Sequence, residues 1–380
     1  MKQAAVLPET FKTLKTFKTF RTFRTFRTAA KPHETMKLYT TITALLLACS
    51  AWAADMYYDG LYFDIINENE LSLVHHGDVV GEYDDLEYYL TVENNYTNLN
   101  PRIVIPDRLN YNGVTYTVTT IDYSAFMGCK HLTHITMPET ITRIEGAAFE
   151  GCSSLVSINL PEGLNYLGYR AFFGCKSLSN LTLPSTIEDI NYGALDSTAW
   201  LANQPNGVVY VNDILYGYNG HQMPNSAFVK VKDGTRKIAA QAFAHCTQLY
   251  YIAIPGSVKT IGSSAFWGCT SLARVDFSPG LEYLFGDAFA GCKSLTHLVL
   301  PDGLKWIECV HLDGCTALLS VTIPASVEEV FSGGNACYTS VSPSVTIRYA
   351  GTKAQWDDIA GYLFEDEAPT PTVICSDGKY

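Results

Sequence analysis

The chain is 380 residues long, room for two or three ordinary domains or one long array, and it is 47% hydrophobic and 12% aromatic, which excludes a disordered chain. Charge is uneven: residues 1–37 hold nine Lys or Arg against Glu9 and Glu34, while the chain beyond residue 53 carries 17 basic and 36 acidic residues, net −19. A surface of that sign repels phosphate backbones and anionic lipid heads, so neither nucleic acid nor a membrane surface is expected as a partner.

Residues 1–35 are of low complexity. Residues 11–28 (FKTLKTFKTFRTFRTFRT) repeat basic, Thr and aromatic positions every three residues. A basic amphipathic arm is one reading. The preferred one is translated sequence upstream of the true start, because the segment from Met36 onward resembles a fresh N-terminus. Met36-Lys37 is a short positive region, Leu38 to Ala48 is apolar, and Ala51-Trp52-Ala53 supplies small residues at a cleavage site, so 36–53 reads as a signal peptide. Its eleven apolar-leaning residues fall short of the about 20 that span a bilayer. No transmembrane segment is expected. Leu46-Leu47-Ala48-Cys49 also resembles a lipobox, which leaves open a lipid anchor at Cys49 beside simple cleavage after Ala53.

Residues 54–117 carry short alternating stretches (LYFDII, LSLVHH) that predict an N-terminal β cap leading into an array. From 118 to 341 a period of 23 dominates. Cys129, Cys152 and Cys175 keep that step, as do Cys246, Cys269, Cys292 and Cys315. Phe126, Phe149 and Phe172 share it, then Phe243, Phe266 and Phe289. The unit, written once from Leu132 to Cys152, is LTHITMPETITRIEGAAFEGC.

Alternation over Leu132 to Met137 predicts a short half-buried strand with Ile135 and Met137 inward. Pro138, lacking an N–H, ends it. Ile141 and Ile144 return inward along the far side, Ala148-Phe149 fills a turn, and Gly151 permits the corner into the next coil. So short a unit buries its apolar side chains only by stacking on its neighbours, which predicts a β-rich solenoid folding as one array. The spacing from Cys175 to Cys246 is two periods plus 25 residues. One of those periods is a degraded repeat, Ser226 to Cys246, with Val229 and Val231 on its strand. The surplus lies near 200–224, where Val208 to Val211 and Ile214 to Tyr218, split by Asn212-Asp213, predict a β-hairpin projecting from the stack. Residues 342–380 predict a C-terminal cap: a strand at Val345 to Tyr349, a helix opening near Thr352 and a strand around Val373.

The unit resembles the BspA-like, or Treponema-type, leucine-rich repeat of bacterial surface proteins. The likeness covers roughly 103–360 and rests on IPDRLNYNGVTYTVTTIDYSAFMGC, TAWLANQPNGVVYVNDILYGYNG and RYAGTKAQWDDIA. It implies a leucine-rich-repeat solenoid and an extracellular binding or adhesive role toward matrix proteins, other bacteria or glycans. The departures are Leu195 and Leu312 at Phe positions, Thr198 at a Cys position and Ser278 at a Pro position, and none is expected to break the stack.

One Cys per coil at a fixed phase predicts core thiols rather than disulfides, because parallel Cβ vectors do not favour the disulfide dihedral. Cys309, Cys337 and Cys375 lie off that phase, and a bridge among them has no support in the spacing. His131 and His134 sit at i and i+3 on a strand edge and do not converge on a metal. His75-His76 is no stronger. The acidic clusters Asp84-Asp85-Glu87, Asp357-Asp358 and Glu365-Asp366-Glu367 lack a calcium-loop pattern and read as solvated charge. With no phosphate loop and no nucleophile–base motif, no cofactor and no catalytic activity are expected.

Two function classes remain. A binding protein would use the outward strand residues, which vary from coil to coil: His134, Thr136, Ser157, Asn159, Asn180, Thr182, Tyr251, Ala253, Arg274, Asp276, His297, Val299, Ser320 and Thr322, with Tyr251, Arg274, Asp276 and His297 expected to form one patch. A structural spacer or envelope scaffold would leave the same face unconstrained. The partner of the first is an extracellular protein or glycan, and the location is exported, secreted or at the cell surface, outer-membrane association included. N-terminal sequencing of the exported protein should find a start near Ala54 or a lipidated Cys49. Recovery of the KTF-rich tract on the exported form contradicts both.

Overall fold

The computed structural model describes residues 101–380 apart from 112, 221–222, 309–311, 332–343 and 361–370, together with the backbone of short strands between Met56 and Val92. The signal-peptide reading, Cys49, His75-His76, the acidic clusters at 84–87 and 365–367, Cys309 and Cys337 lie outside the described residues. The chain divides into two compact units, Met1–Glu188 with Gly193–Ala202, and Asp189–Tyr192 with Asn203–Tyr380. Each is built of coils that stack by parallel pairing.

In the first unit the front sheet holds Arg102–Val104, His134–Thr136, Ser157–Asn159 and Asn180–Thr182 in register. Ile135, Ile158 and Leu181 point inward and are buried. Each coil returns through a second strand of only two residues: Ile144 pairs with Ile121 on one side and Leu167 on the other. The cap feeds this back sheet. Leu61–Asn67 pairs antiparallel with Glu70–Val74, which lies parallel to Val114–Ile121.

Between back strand and front strand each coil makes a tight turn, and there aromatic rings stack from coil to coil. The rings of Phe126, Phe149 and Phe172 lie face to face with centroids 5.2 Å apart. Phe243, Phe266 and Phe289 repeat this at 5.6 and 5.2 Å in the second unit. Gly151 has φ 73°, the corner expected of it. Gly168 is required for another reason: a Cβ there would lie 2.4 Å from the backbone nitrogen of Gly146 in the coil below. Less expected is a left-handed residue that is not glycine at one phase of successive coils: Ser124, Ala147 and Arg170, then Gln241, Ser264 and Asp287, with φ between 52° and 58°. Such a conformation costs roughly 1–2 kcal/mol per residue. It is offset where the N–H of Ala147 reaches Tyr169 O at 2.7 Å in the next coil, and that of Ser264 reaches Gly286 O at 2.8 Å.

The repeat cysteines are free, as the phase predicted. They are more than small hydrophobes. Five of the seven thiols donate to a carbonyl one coil back: Cys152 to Phe126 O and Cys175 to Phe149 O at 3.0 Å, Cys269 to Phe243 O at 3.1 Å, Cys292 to Phe266 O at 3.3 Å, and Cys315 to Phe289 O at 3.2 Å. Thr198, at a Cys position, breaks this pattern. Its hydroxyl donates to Leu195 O at 2.6 Å and accepts from the Leu201 N–H at 3.1 Å, capping the short helix Ala199–Ala202.

One expectation is corrected. The hairpin does not project. Gly207–Val211 and Ile214–Asn219 pair antiparallel, but Ile214 and Leu215 also pair in parallel with Lys237 and Ile238, so the hairpin forms the edge of the second unit's back sheet. Val209, Val211, Ile214, Leu215 and Tyr216 are buried there, an apolar set too large to leave in water. At Ser278 the stack holds, as expected, but one of its two ladders ends. The back sheet runs on past it through Leu284 and Ile307. The front sheet does not: Ala227–Lys230, Leu249–Ile254 and Arg274–Phe277 form one sheet, and His297–Val299 opens another. Cys269 and Cys292 keep the 23-residue step, so the coil gains no residue; Ser278 takes the usual proline position, Pro279 comes one place later, and the front ladder ends at Phe277.

The C-terminal cap forms as predicted. Thr346–Tyr349 pairs with Ser320–Ile323, Lys353–Ala360 is helical with Trp356 buried, and Thr372–Cys375 adds the next strand. Gly378–Lys379 then folds back antiparallel along that strand. Cys375 is a free thiol.

Phe149→Ala or Phe266→Ala should cost about 3–5 kcal/mol in denaturant unfolding, because the coils on either side cannot close the void. Cys269 and Cys292, whose thiols burial pushes well up, should alkylate only after denaturation, together with Cys152 and Cys175. Modification of the native protein at these positions, read by peptide mass, contradicts the thiol assignment.

Candidate ligand-binding face

The outward residues of the front sheets form two columns. In the first unit Arg102, His134, Ser157 and Asn180 share one column and Val104, Thr136, Asn159 and Thr182 the other. Apart from the exposed Val104 this face is polar, and His134 Nδ1 lies 3.0 Å from Thr133 Oγ1. Among the described residues no cluster of His, Cys, Asp or Glu has the makings of a metal site.

The second unit differs in kind. Phe228, Tyr251 and Arg274 share one column, and Lys230, Ala253 and Asp276 the other. Arg274 Nε and Nη2 donate to the two carboxylate oxygens of Asp276 at 2.6 and 2.8 Å, and the Tyr251 hydroxyl donates to Asp276 Oδ2 at 2.8 Å. The Arg274 guanidinium lies 5.9 Å from the centre of the Tyr251 ring. Three of the four residues expected to form one patch therefore do so. The fourth, His297, lies beyond the end of this ladder on the next sheet, where its Nδ1 is 3.0 Å from Thr296 Oγ1. Val299, Ser320 and Thr322 lie on that later sheet too.

Sequence reasoning passed over two aromatic residues. Phe228 is 70% exposed and Tyr250 43%. The pairing slips between Ala227 and Phe228: Ala227 faces Leu249 and Phe228 faces Tyr251, which leaves Tyr250 as an extra, bulged residue. Leu249 and Ile252 stay fully buried. The bulge thus presents Tyr250 and Tyr251 on the side of Phe228, whose ring lies 5.7 Å from each. Phe228 was legible in principle. If Val229 and Val231 face inward, Phe228 and Lys230 face out. The bulge had no signal.

Stacked coils of about 23 residues, each with a short strand, a tight turn and an aliphatic core, define the leucine-rich-repeat class. The family model for the BspA type leucine rich repeat region matches in six copies over residues 108–206 and 221–344, and the chain belongs to that family. No curated protein matches it. Among solved structures it is similar to a leucine rich cell surface protein of Faecalibacterium prausnitzii (21% identity, 81% of this chain and 98% of that one, TM-score 0.37). It is also similar to the leucine rich repeat protein of Treponema pallidum (22%, 68% and 87%, TM-score 0.29) and to the pneumococcal vaccine antigen PcpA (16%, 83% and 96%, TM-score 0.35). At these levels the membership rests on the repeat itself.

The Arg274 hydrogen bonds hold the Asp276 carboxyl below its usual range, and the bond to Asp276 raises the Tyr251 hydroxyl above its own. Asp276 therefore stabilises the cluster above the ordinary value of about 3.9, and that contribution fades as pH falls through its lowered value. Between about pH 5 and pH 9 the cluster should keep one charge state. Carboxyl NMR titration should place Asp276 below about 3.9, and Arg274→Ala should move it upward. An unmoved Asp276 in that variant contradicts the pairing.

Proposed function

We propose that the protein is exported and holds an extracellular macromolecule on the strand face of its second unit, without catalysis. The observation that carries this reading is the group formed by the exposed Phe228 and Tyr250 and the half-buried Tyr251 beside the Arg274–Asp276 pair. A rigid sheet that leaves three aromatic rings next to an Arg supplies the residue types that carry most binding energy at interfaces. Export is supported by the Met36–Ala53 segment. Among the described residues no helix is long and apolar enough to cross a membrane. The net charge of −19 beyond residue 53 favours a neutral or basic partner.

The test is a screen of the full-length protein against matrix proteins and glycans, and then the double variant Tyr251→Ala and Arg274→Ala. With an unchanged melting temperature, the double variant should weaken binding by at least about tenfold. Full retention by a folded double variant removes the function from this face, and a screen without any ligand favours the spacer reading.

A further inference from the structure

We propose that Phe228, Tyr250, Tyr251 and the Arg274–Asp276 pair form a platform for a neutral saccharide chain. This rests on the binding reading above and names the chemistry of its ligand. The bulge is the first reason. Bulges are rare between parallel strands and re-aim side chains. Here it lets Leu249 and Ile252, three residues apart, both stay fully buried. What changes is the outer face, where two consecutive tyrosines flank Phe228 with rings tilted 52° and 45° to its own. Phe228 stands between them, 70% exposed.

The second reason is the pairing of that apolar surface with a fixed polar edge. A pyranose offers C–H groups on its faces and hydroxyls around its rim, and it needs both kinds of partner at once. The Asp276 carboxylate has about four acceptor sites and Arg274 five N–H donors. Their mutual contact and the Tyr251 hydroxyl use three of those acceptor sites and two of those donors. The pair thus retains both donor and acceptor capacity, aimed outward and already immobilised, which lowers the entropic cost of binding. Because Arg274 and Asp276 neutralise each other, the edge presents hydrogen-bonding groups without a net charge.

The third reason is size. A stable protein interface covers about 800 Å² per partner around an apolar centre. On this sheet the exposed large apolar side chains are confined to two adjacent strands, Ala227–Lys230 and Leu249–Ile254. The columns then turn to Lys230, Ala253, Arg274 and Asp276. Three rings bordered by polar groups match a few sugar units better than the apolar centre of a protein partner. Lys230 stands two strands from Asp276, about 10 Å across the small Ala253, and gives a further N–H donor to a sugar hydroxyl at the far side.

The experiment is calorimetric titration of the full-length protein with hexasaccharides of β-1,4-glucose, β-1,3-glucose, α-1,4-glucose, β-1,4-mannose and β-1,4-N-acetylglucosamine, and with a uronic-acid hexasaccharide as the anionic control. At least one neutral chain should bind with a Kd of roughly micromolar to millimolar, little changed from about 0.05 to about 0.5 M salt. Phe228→Ala and Tyr250→Ala should each weaken it at least about tenfold at unchanged melting temperature, and Tyr250→Phe should retain it. Absence of binding to every neutral chain, a preference for the uronic-acid chain, or full retention by Phe228→Ala overturns the proposal. A separate arm uses matrix proteins stripped of glycans. If these bind and the Tyr251→Ala, Arg274→Ala double variant loses them while no saccharide binds, the saccharide platform is overturned and the broader binding reading stands. If neither saccharides nor proteins bind, both fall.

Discussion

At one point in coil after coil the backbone is driven through a left-handed residue that is not glycine, and a hydrogen bond to the next coil holds it there. Ala147 reaches Tyr169 and Ser264 reaches Gly286. An isolated coil would relax, since the conformation is unfavourable without its partner. The phenylalanine stacks and the thiol-to-carbonyl bonds lie beside the same turn and depend on the same spacing. Stability in such an array is cooperative between neighbours rather than resident in any one unit.

That constraint on the interior frees the exterior. With Ile135, Ile158 and Leu181 fixed inward, residues such as Thr136, Asn159 and Thr182 vary without cost to the stack. The same freedom lets the second unit carry a register slip at Tyr250 and a displaced proline after Ser278. The first shifts two tyrosines onto one side; at the second the front ladder ends while the back ladder continues. Both irregularities bound the aromatic surface, so that face is a local departure from an otherwise uniform scaffold.

The period, the inward columns, the Phe and Cys phases and the C-terminal cap were legible because each repeats or alternates in residue type. The left-handed position was not. Ser, Ala, Arg, Gln, Ser and Asp fill it in turn, and nothing in their chemistry announces a positive φ. The hairpin was legible as a hairpin, but its place at the sheet edge depended on pairing with Lys237–Ile238, a contact that strand propensity alone does not specify. For the ligand face, Tyr251, Arg274 and Asp276 came from alternation. Tyr250 required knowing that the register slips, and His297 required knowing that it stops.

The turn column has one further property. Its peptide groups point one way: Gly146 O accepts from Ser124 N–H in the coil before while Ala147 N–H donates to Tyr169 O in the coil after, and the peptides at 148–149 and 150–151 do the same with their neighbours. Three aligned peptide dipoles per coil add along the stacking direction, as they do along a helix, but with the N–H end toward the C-terminus. Each unit therefore carries a built-in axial field on its turn side, carbonyl-negative where the stack begins and amide-positive where it ends. A carboxylate or other anion beside the final turn is favoured there, which is the reverse of the preference at the ends of an α-helix.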